Sequence, residues 1–148
     1  MKKLLVNICS FLLLFNITYS QILNPVKWSH SVNKIDNNTY ELIFTADIEK
    51  NWHLYSQYIP TGGPIPTTFR FKPNPNYERI GKVIEPKTIE EYDPTFNMNL
   101  KFFNTKTKFV QKIKTLTNKN FKIKASVEFM CCDNTRCLPP EEIEFEFN

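Results

Sequence analysis

The segment Phe121-Lys122-Ile123-Lys124-Ala125-Ser126-Val127-Glu128-Phe129 alternates apolar and polar side chains without interruption. Successive side chains of a β-strand point to opposite faces, so this alternation predicts a strand with one face against a core. The alternation returns over residues 142–147, where every second residue is glutamate. The two strands are predicted to form a hairpin, and residues 131–140, which include the turn-prone pair Asp133-Asn134, are its connection.

The rest of the chain is predicted to consist of short strands as well. One face of residues 40–49 carries Tyr40, Leu42, Phe44, Ala46 and Ile48. Further strands are predicted over residues 67–71, 82–85 and 108–115, separated by clusters of proline, glycine and asparagine. No long stretch of the sequence has the period of a helix. The sequence therefore predicts an all-β protein with an immunoglobulin-like antiparallel β-sandwich and a cysteine-bearing hairpin loop near its carboxyl end.

The amino-terminal residues have the composition of a signal peptide. Lys2 and Lys3 precede an apolar run over residues 4–15, and the small residues Thr18 and Ser20 suit a cleavage site. The apolar run is shorter than the roughly 20 residues that a membrane-spanning helix needs. We therefore expect residues 1–20 to direct export and to be cleaved, which leaves residues 21–148 as one domain without a membrane span.

The charge pattern argues against nucleic acid as a partner. The whole chain has a net charge of +4, and residues 21–148 hold 17 basic and 15 acidic side chains. Both signs are interspersed, without the single-sign blocks that follow a phosphate backbone. The sequence has only 3 glycines and contains neither a phosphate-binding glycine loop nor an HExxH motif, so no bound cofactor is predicted.

Three cysteines lie close together in the predicted hairpin connection: Cys131, Cys132 and Cys137. If the strand alternation persists, Cys131 continues the apolar face and Cys132 points the opposite way. A loop that turns back on itself would join Cys132 to Cys137, which is the favoured pairing, while Cys131–Cys137 stays open as the alternative. A disulfide across so short a loop stabilises a fold by only about 2 kcal/mol. The placement therefore predicts an exposed thiol site more than a structural crosslink.

Metal binding is a weaker interpretation of the same residues. His30 or His53 could complete a set of soft ligands with the cysteines, but the spacing matches no familiar zinc pattern, and no metal site is predicted. His53 is interpreted as a partly exposed structural residue. The acidic residues Glu90, Glu91 and Asp93 could be interpreted as paired carboxylates for acid–base catalysis, but their composition is more typical of a solvated surface.

The sequence Met130-Cys131-Cys132-Asp133-Asn134-Thr135-Arg136-Cys137-Leu138-Pro139-Pro140 resembles the active-site loop of the amino-terminal periplasmic domain of the thiol:disulfide interchange protein DsbD, in the form found in Bacteroidetes-type bacteria. Residues 51–57, 63–67, 91–96 and 109–111 are similar to further segments of that family and occur in the same order. The resemblance implies an immunoglobulin-like domain that relays reducing equivalents in the periplasm.

The resemblance also implies roles for individual residues. Cys137 would exchange with partner proteins, and Cys132 would resolve the mixed disulfide. Asp93 and Phe96 match a loop that caps the cysteines, with Phe96 as the shield, and Tyr55 matches an aromatic position beside them. The expected partners are thioredoxin-fold periplasmic proteins, with a separate membrane electron carrier as a further candidate. If the exchange is catalytic, the activity is that of a protein-disulfide reductase.

Two charged neighbours are expected to modulate the cysteines. Arg136, next to Cys137, favours a thiolate there, whereas Asp133, next to Cys132, disfavours one, so attack is predicted to begin at Cys137.

The alternative interpretation is a secreted β-sandwich binding module in which the cysteine loop holds a structural disulfide. The reduction potential of the cysteine pair distinguishes these two interpretations.

Overall fold

The strands predicted from the sequence are present, together with several that the sequence pattern does not indicate. A computed structural model describes residues 23–148, none of which is helical. The strands are β1 (Val26–Lys34), β2 (Thr39–Ile48), β3 (His53–Tyr55), β4 (Thr68–Phe71), β5 (Tyr77–Ile84), β6 (Ile89–Asp93), β7 (Met98–Phe103), β8 (Thr107–Thr115), β9 (Ile123–Phe129), β10 (Cys131–Cys132) and β11 (Glu141–Phe147). The predicted signal peptide, residues 1–20, lies outside the described residues.

Two antiparallel sheets form the body of the fold. The first has the strand order β1-β2-β8-β5, and the second has the order β11-β9-β4. Aromatic rings join the facing sides: the ring centroid of Phe44 on β2 lies 4.8 Å from that of Phe69 on β4 and 5.1 Å from that of Phe145 on β11. The predicted immunoglobulin-like β-sandwich is confirmed, with its core between these two sheets.

The predicted pairing of the last two long strands is also confirmed. β9 and β11 are antiparallel, with Phe129 opposite Glu141 and Ile123 opposite Phe147. Their connection differs from a free loop, because β10 leaves this sheet and pairs with β3, so that Cys131 lies opposite Leu54 and Cys132 opposite His53. The pairing of β10 with β3 therefore attaches Cys131 and Cys132 to a different sheet from the one that contains the β9–β11 hairpin.

A third sheet, with the order β10-β3-β7-β6, positions the cysteine loop. In its centre, β3 pairs with β10 on one side and with β7 on the other, where Tyr55 lies opposite Phe102. β6 and β7 form a hairpin whose turn lies between Asp93 and Met98. The sheet therefore places the cysteines, Tyr55 and the turn after β6 at one end of the molecule.

Some strand boundaries differ from those predicted. β5 begins at Tyr77, well before the predicted start at residue 82, and β1 is not among the predicted strands. β1 is an edge strand in which Val26 and Trp28 pack against the core, whereas Ser29, His30 and Ser31 are exposed. Only the first part of β1 has an apolar face, so alternation is a weaker signal there than in β9.

Candidate functional site

The central feature of the site is a disulfide between Cys132 and Cys137. Their Cα atoms are 4.0 Å apart, and Cys131 is the free cysteine among the described residues. Cys131 packs into the sandwich core, whereas Cys132 packs into a second, smaller apolar cluster. The pairing favoured from the sequence and the opposite orientation of the two adjacent cysteines are both confirmed. The alternative Cys131–Cys137 pairing is not formed.

The prediction of an exposed thiol site is wrong for Cys132. Cys132 is only 2% exposed, because the residues of the second cluster cover β10. Cys137 is half-buried. The second cluster consists of buried Tyr55, Leu100 and Cys132, with Ile59, Phe96, Met98, Phe102, Met130 and Cys137 packed against it. Cys137 is therefore the more solvent-exposed residue of the disulfide.

The loop between the two cysteines is organised by Asp133. Its Oδ1 accepts hydrogen bonds from the Thr135 amide at 2.8 Å, the Thr135 hydroxyl at 2.8 Å and the Arg136 amide at 2.9 Å. These bonds, those of Thr135 foremost, lower the pKa of Asp133 to about 2. The carboxylate thus closes a tight turn that brings Cys137 back towards Cys132, which is a local preference of aspartate.

The charge of Arg136 is partly engaged within the same loop. Its Nε lies 3.4 Å from Oδ2 of Asp133, and its guanidinium lies 5.8 Å from the ring centroid of Trp52. The guanidinium therefore joins the cysteine loop to the turn before β3. The influence of Arg136 and Asp133 on thiol reactivity stays a prediction.

Tyr55 provides the polar group closest to the buried sulfur. Its ring is fully buried, and its hydroxyl oxygen lies 3.2 Å from Sγ of Cys132 and 3.2 Å from Oδ2 of Asp93. Burial, followed by the nearby Asp93 carboxylate, raises the pKa of Tyr55 above its ordinary value. The hydroxyl therefore remains protonated and can donate a hydrogen bond to sulfur or to carboxylate.

The turn after β6 covers this arrangement. Oδ1 of Asp93 accepts hydrogen bonds from the amides of Thr95 at 2.8 Å and Phe96 at 3.4 Å, which bends the chain back towards the cysteines. The half-buried ring of Phe96 meets the ring of Tyr55 edge-on, with centroids 6.1 Å apart. The structure thus brings together Tyr55, Asp93, Phe96 and both bonded cysteines, while the cap and exchange roles of these residues stay predictions.

Two further residues contact the site and were not predicted to belong to it. Nε2 of His53 lies 3.1 Å from the Tyr55 hydroxyl. Glu85 accepts hydrogen bonds from the Ser56 hydroxyl at 2.6 Å and the Gln57 amide at 2.9 Å, and so holds the segment directly after Tyr55. The two-residue spacing of His53 and Tyr55 in a strand could have indicated a shared face, but no sequence signal connects Glu85 to Ser56.

No group of three or more His, Cys, Asp or Glu side chains among residues 23–148 is arranged to hold a metal ion. The soft-ligand set considered from the sequence is not assembled, since Cys132 is bonded to Cys137 and Cys131 packs into the opposite core. Within the same residues, no helix has the length and apolar character that a membrane crossing requires.

The fold and the site are those of an immunoglobulin-like domain with a covered disulfide in the connection between its last two long strands. The chain belongs to the family described as "Thiol:disulfide interchange protein DsbD, N-terminal", which matches residues 21–148. A comparison with curated protein sequences gives no significant match. The narrower resemblance to Bacteroidetes-type forms stays a prediction.

Solved structures share the fold at low sequence identity. The DsbD N-terminal domain of Neisseria meningitidis in its reduced form is 14% identical, with a TM-score of 0.55 over 85% of this chain and 89% of that chain. The same organism's DsbD domain, in a structure describing its complex with the PilB N-terminal domain, is 13% identical, with a TM-score of 0.53 over 85% and 87%. The N-terminal periplasmic domain of ScsB from Proteus mirabilis is 10% identical, with a TM-score of 0.62 over 84% of this chain and 46% of that chain.

Proposed function

We propose that this protein is a periplasmic thiol–disulfide exchange domain that relays reducing equivalents between thioredoxin-fold proteins through Cys132 and Cys137. The observation that carries the proposal is the disulfide itself, which closes a loop with a sequence separation of only 5. Such a short loop contributes little to stability, about 2 kcal/mol. Membership of the DsbD N-terminal family supports a redox role for the bond.

The exchange reaction follows from the unequal burial of the two sulfurs. A partner thiolate attacks Sγ of half-buried Cys137, a bond forms between the partner sulfur and Cys137, and the Cys132–Cys137 bond breaks. The electron pair leaves on Sγ of Cys132, which becomes a thiolate. The Tyr55 hydroxyl, 3.2 Å away, donates a hydrogen bond to it. A second thiolate of the partner then attacks the partner sulfur of the mixed disulfide, which forms a disulfide within the partner and releases Cys137 as a thiolate. In the reverse direction, Cys132 attacks Sγ of Cys137, re-forms the Cys132–Cys137 disulfide and releases the partner thiolate.

The partner is proposed to dock at the end of the molecule that carries the cysteine loop and the cap. Family members have been studied in complex with another domain, as the Neisseria meningitidis pair of DsbD and PilB N-terminal domains demonstrates for that organism. The signal-like sequence of residues 1–20 supports export to the periplasm. A membrane-embedded electron carrier is proposed as the electron donor.

Removal of the Phe96 ring is expected to expose the cysteine pair to small oxidants. Phe96 packs against the cluster that contains both bonded cysteines, so Phe96→Ala should increase severalfold the rate at which hydrogen peroxide oxidises the reduced protein. The rate is measured by thiol counting over time. Tyr58→Ala, which removes an aromatic ring that is 56% exposed, serves as the control and should leave the rate unchanged. Equal rates for wild type and Phe96→Ala would remove Phe96 from the cap role.

The reduction potential tests the proposed function directly. Equilibration in glutathione buffers of graded ratio, followed by alkylation and mass analysis, is expected to give a potential between about −270 and −120 mV, the range of exchange proteins. Cys131→Ala should leave this value unchanged, because burial raises the pKa of the Cys131 thiol to about 12 and keeps it protonated. A potential below about −300 mV would instead favour a binding module with a structural disulfide.

A further inference from the structure

The Tyr55 hydroxyl has three polar neighbours and a single proton. Nε2 of His53 lies 3.1 Å away, while Oδ2 of Asp93 and Sγ of Cys132 each lie 3.2 Å away. An ionised carboxylate and a disulfide sulfur have no hydrogen, so Asp93 and Cys132 can only accept. Which neighbour accepts the hydrogen bond of the Tyr55 hydroxyl therefore depends on whether Nε2 of His53 carries a hydrogen or a lone pair.

A lone pair on Nε2 would leave three acceptors competing for one proton. A hydrogen on Nε2 resolves this competition, because it is donated to the Tyr55 oxygen and leaves the tyrosine proton for Asp93 or Cys132. The imidazole is held in place for this contact. Its centroid lies 5.0 Å from that of Phe102, and it meets the Tyr55 ring nearly perpendicularly at 5.1 Å.

We propose that His53 is a positioning residue for thiol–disulfide exchange, which donates Nε2–H to the Tyr55 hydroxyl and thereby reserves the Tyr55 proton for the sulfur of Cys132. The inference rests on the proposed function, because the Cys132 sulfur needs this proton only when exchange releases it as a thiolate. In the disulfide form the proton is directed to Asp93. When Cys132 gains the electron pair, the hydroxyl proton turns from Oδ2 of Asp93 to Sγ, an equal distance away.

The surroundings of His53 favour a neutral ring. Burial lowers the pKa of His53, against the opposing effect of the Asp93, Asp133 and Glu91 carboxylates. A neutral imidazole carries one hydrogen on either Nδ1 or Nε2, so the proposal requires the Nε2–H tautomer. This requirement can be read directly from the nitrogen chemical shifts of the ring.

The first test uses NMR of residues 21–148, the range that the family model matches, with the cysteines oxidised. Long-range nitrogen–proton spectra at neutral pH are expected to show His53 as the Nε2–H tautomer. The Nδ1–H tautomer would overturn the proposal, because Tyr55 would then have to donate to His53. No substitution is needed for this measurement, so a folding defect cannot obscure it.

The second test measures the pKa of the Cys132 thiol in a Cys131→Ala, Cys137→Ala background, where Cys132 is the only thiol of residues 21–148. Thiolate absorbance against pH is expected to give a pKa that His53→Phe raises by about 1, while His53→Gln, whose side-chain amide can still donate, restores most of the difference. In the Tyr55→Phe background, His53→Phe should have no further effect. A pKa that does not change, or an equal change without the Tyr55 hydroxyl, would overturn the positioning role.

Failure of the proposed function is recognised separately. The thiol pKa is measured in a protein without Cys137, which cannot form the Cys132–Cys137 disulfide, so it reports the contact between His53, Tyr55 and Cys132 alone. If wild type shows no exchange while His53→Phe still shifts the Cys132 pKa, the relay function fails and the positioning contact stands. If wild type exchanges and His53→Phe lowers neither the exchange rate nor the thiolate fraction, the positioning role fails alone.

Discussion

Replacement of Cys132 with serine is expected to trap the protein covalently on its partner. The test partner is a thioredoxin-fold protein in which one active-site cysteine has been substituted. Its remaining active-site cysteine is activated as a mixed disulfide with thionitrobenzoate. The Cys137 thiolate attacks the partner sulfur, a disulfide forms between the two proteins, and thionitrobenzoate leaves with the electron pair. In wild type, Cys132 then attacks Cys137 and releases the partner. Cys132→Ser lacks that step, so the mixed disulfide should persist, visible by mass and on non-reducing gels.

The reciprocal variant tests the assignment of the attacking cysteine. In Cys137→Ser the remaining thiol of the pair is Cys132, which is only 2% exposed, so the rate of thionitrobenzoate release should fall by roughly a hundredfold or more. Both variants carry Cys131→Ala, which excludes a contribution from the third thiol. A mixed disulfide that forms at Cys132 as fast as at Cys137 would contradict the assignment.

The parts of the site that follow from local sequence are the parts that were predicted correctly. Alternation along β9 places Cys131 and Cys132 on opposite faces, and the structure has one in the sandwich core and the other in the second cluster. Asp133, two residues before Thr135, has the local preference for a turn that closes the loop. Both features depend on neighbours within a few residues, which a single sequence displays.

The features that were not predicted depend on contacts between distant segments. Burial of Cys132 results from β10 leaving the hairpin to pair with β3, although the composition of residues 131–140 is that of a surface loop. His53 and Glu85 join the site through Tyr55 and Ser56, and the Glu85 contact spans a sequence separation of 29. Composition and the periodicity of apolar residues describe local structure. The burial of a site depends on which distant strands and turns pack against it.

The two apolar clusters separate the stability of the fold from the environment of the disulfide. The sandwich core is dominated by aromatic rings between the first two sheets, while the second cluster surrounds Cys132 with Tyr55 and Leu100. A substitution deep in the core therefore alters the free energy of unfolding without direct contact with the exchanging sulfurs. This separation makes the core a test of the fold that is independent of the redox chemistry.

Phe44→Ala is expected to lower the free energy of unfolding by about 3 to 5 kcal/mol. Phe44 is fully buried, and its ring contacts the rings of Phe69 and Phe147 at centroid distances of 4.8 and 5.2 Å, so its removal leaves a cavity between the two sheets. Total stabilities of single domains are about 5 to 15 kcal/mol, so the loss is a large fraction of the whole. Urea unfolding of the oxidised protein, followed by intrinsic fluorescence, measures it.

Two matched substitutions define what the Phe44 result means. Phe44→Leu keeps most of the apolar volume and should cost clearly less than Phe44→Ala. Ile84→Ala removes an apolar side chain that is 57% exposed on the edge strand β5 and should change stability by no more than about 0.5 kcal/mol.

Because Phe44 lies outside the second cluster, the reduction potential of folded Phe44→Ala should equal that of wild type. A loss below about 1 kcal/mol for Phe44→Ala would contradict a core between the two sheets, and a shifted potential would contradict the separation of that core from the disulfide.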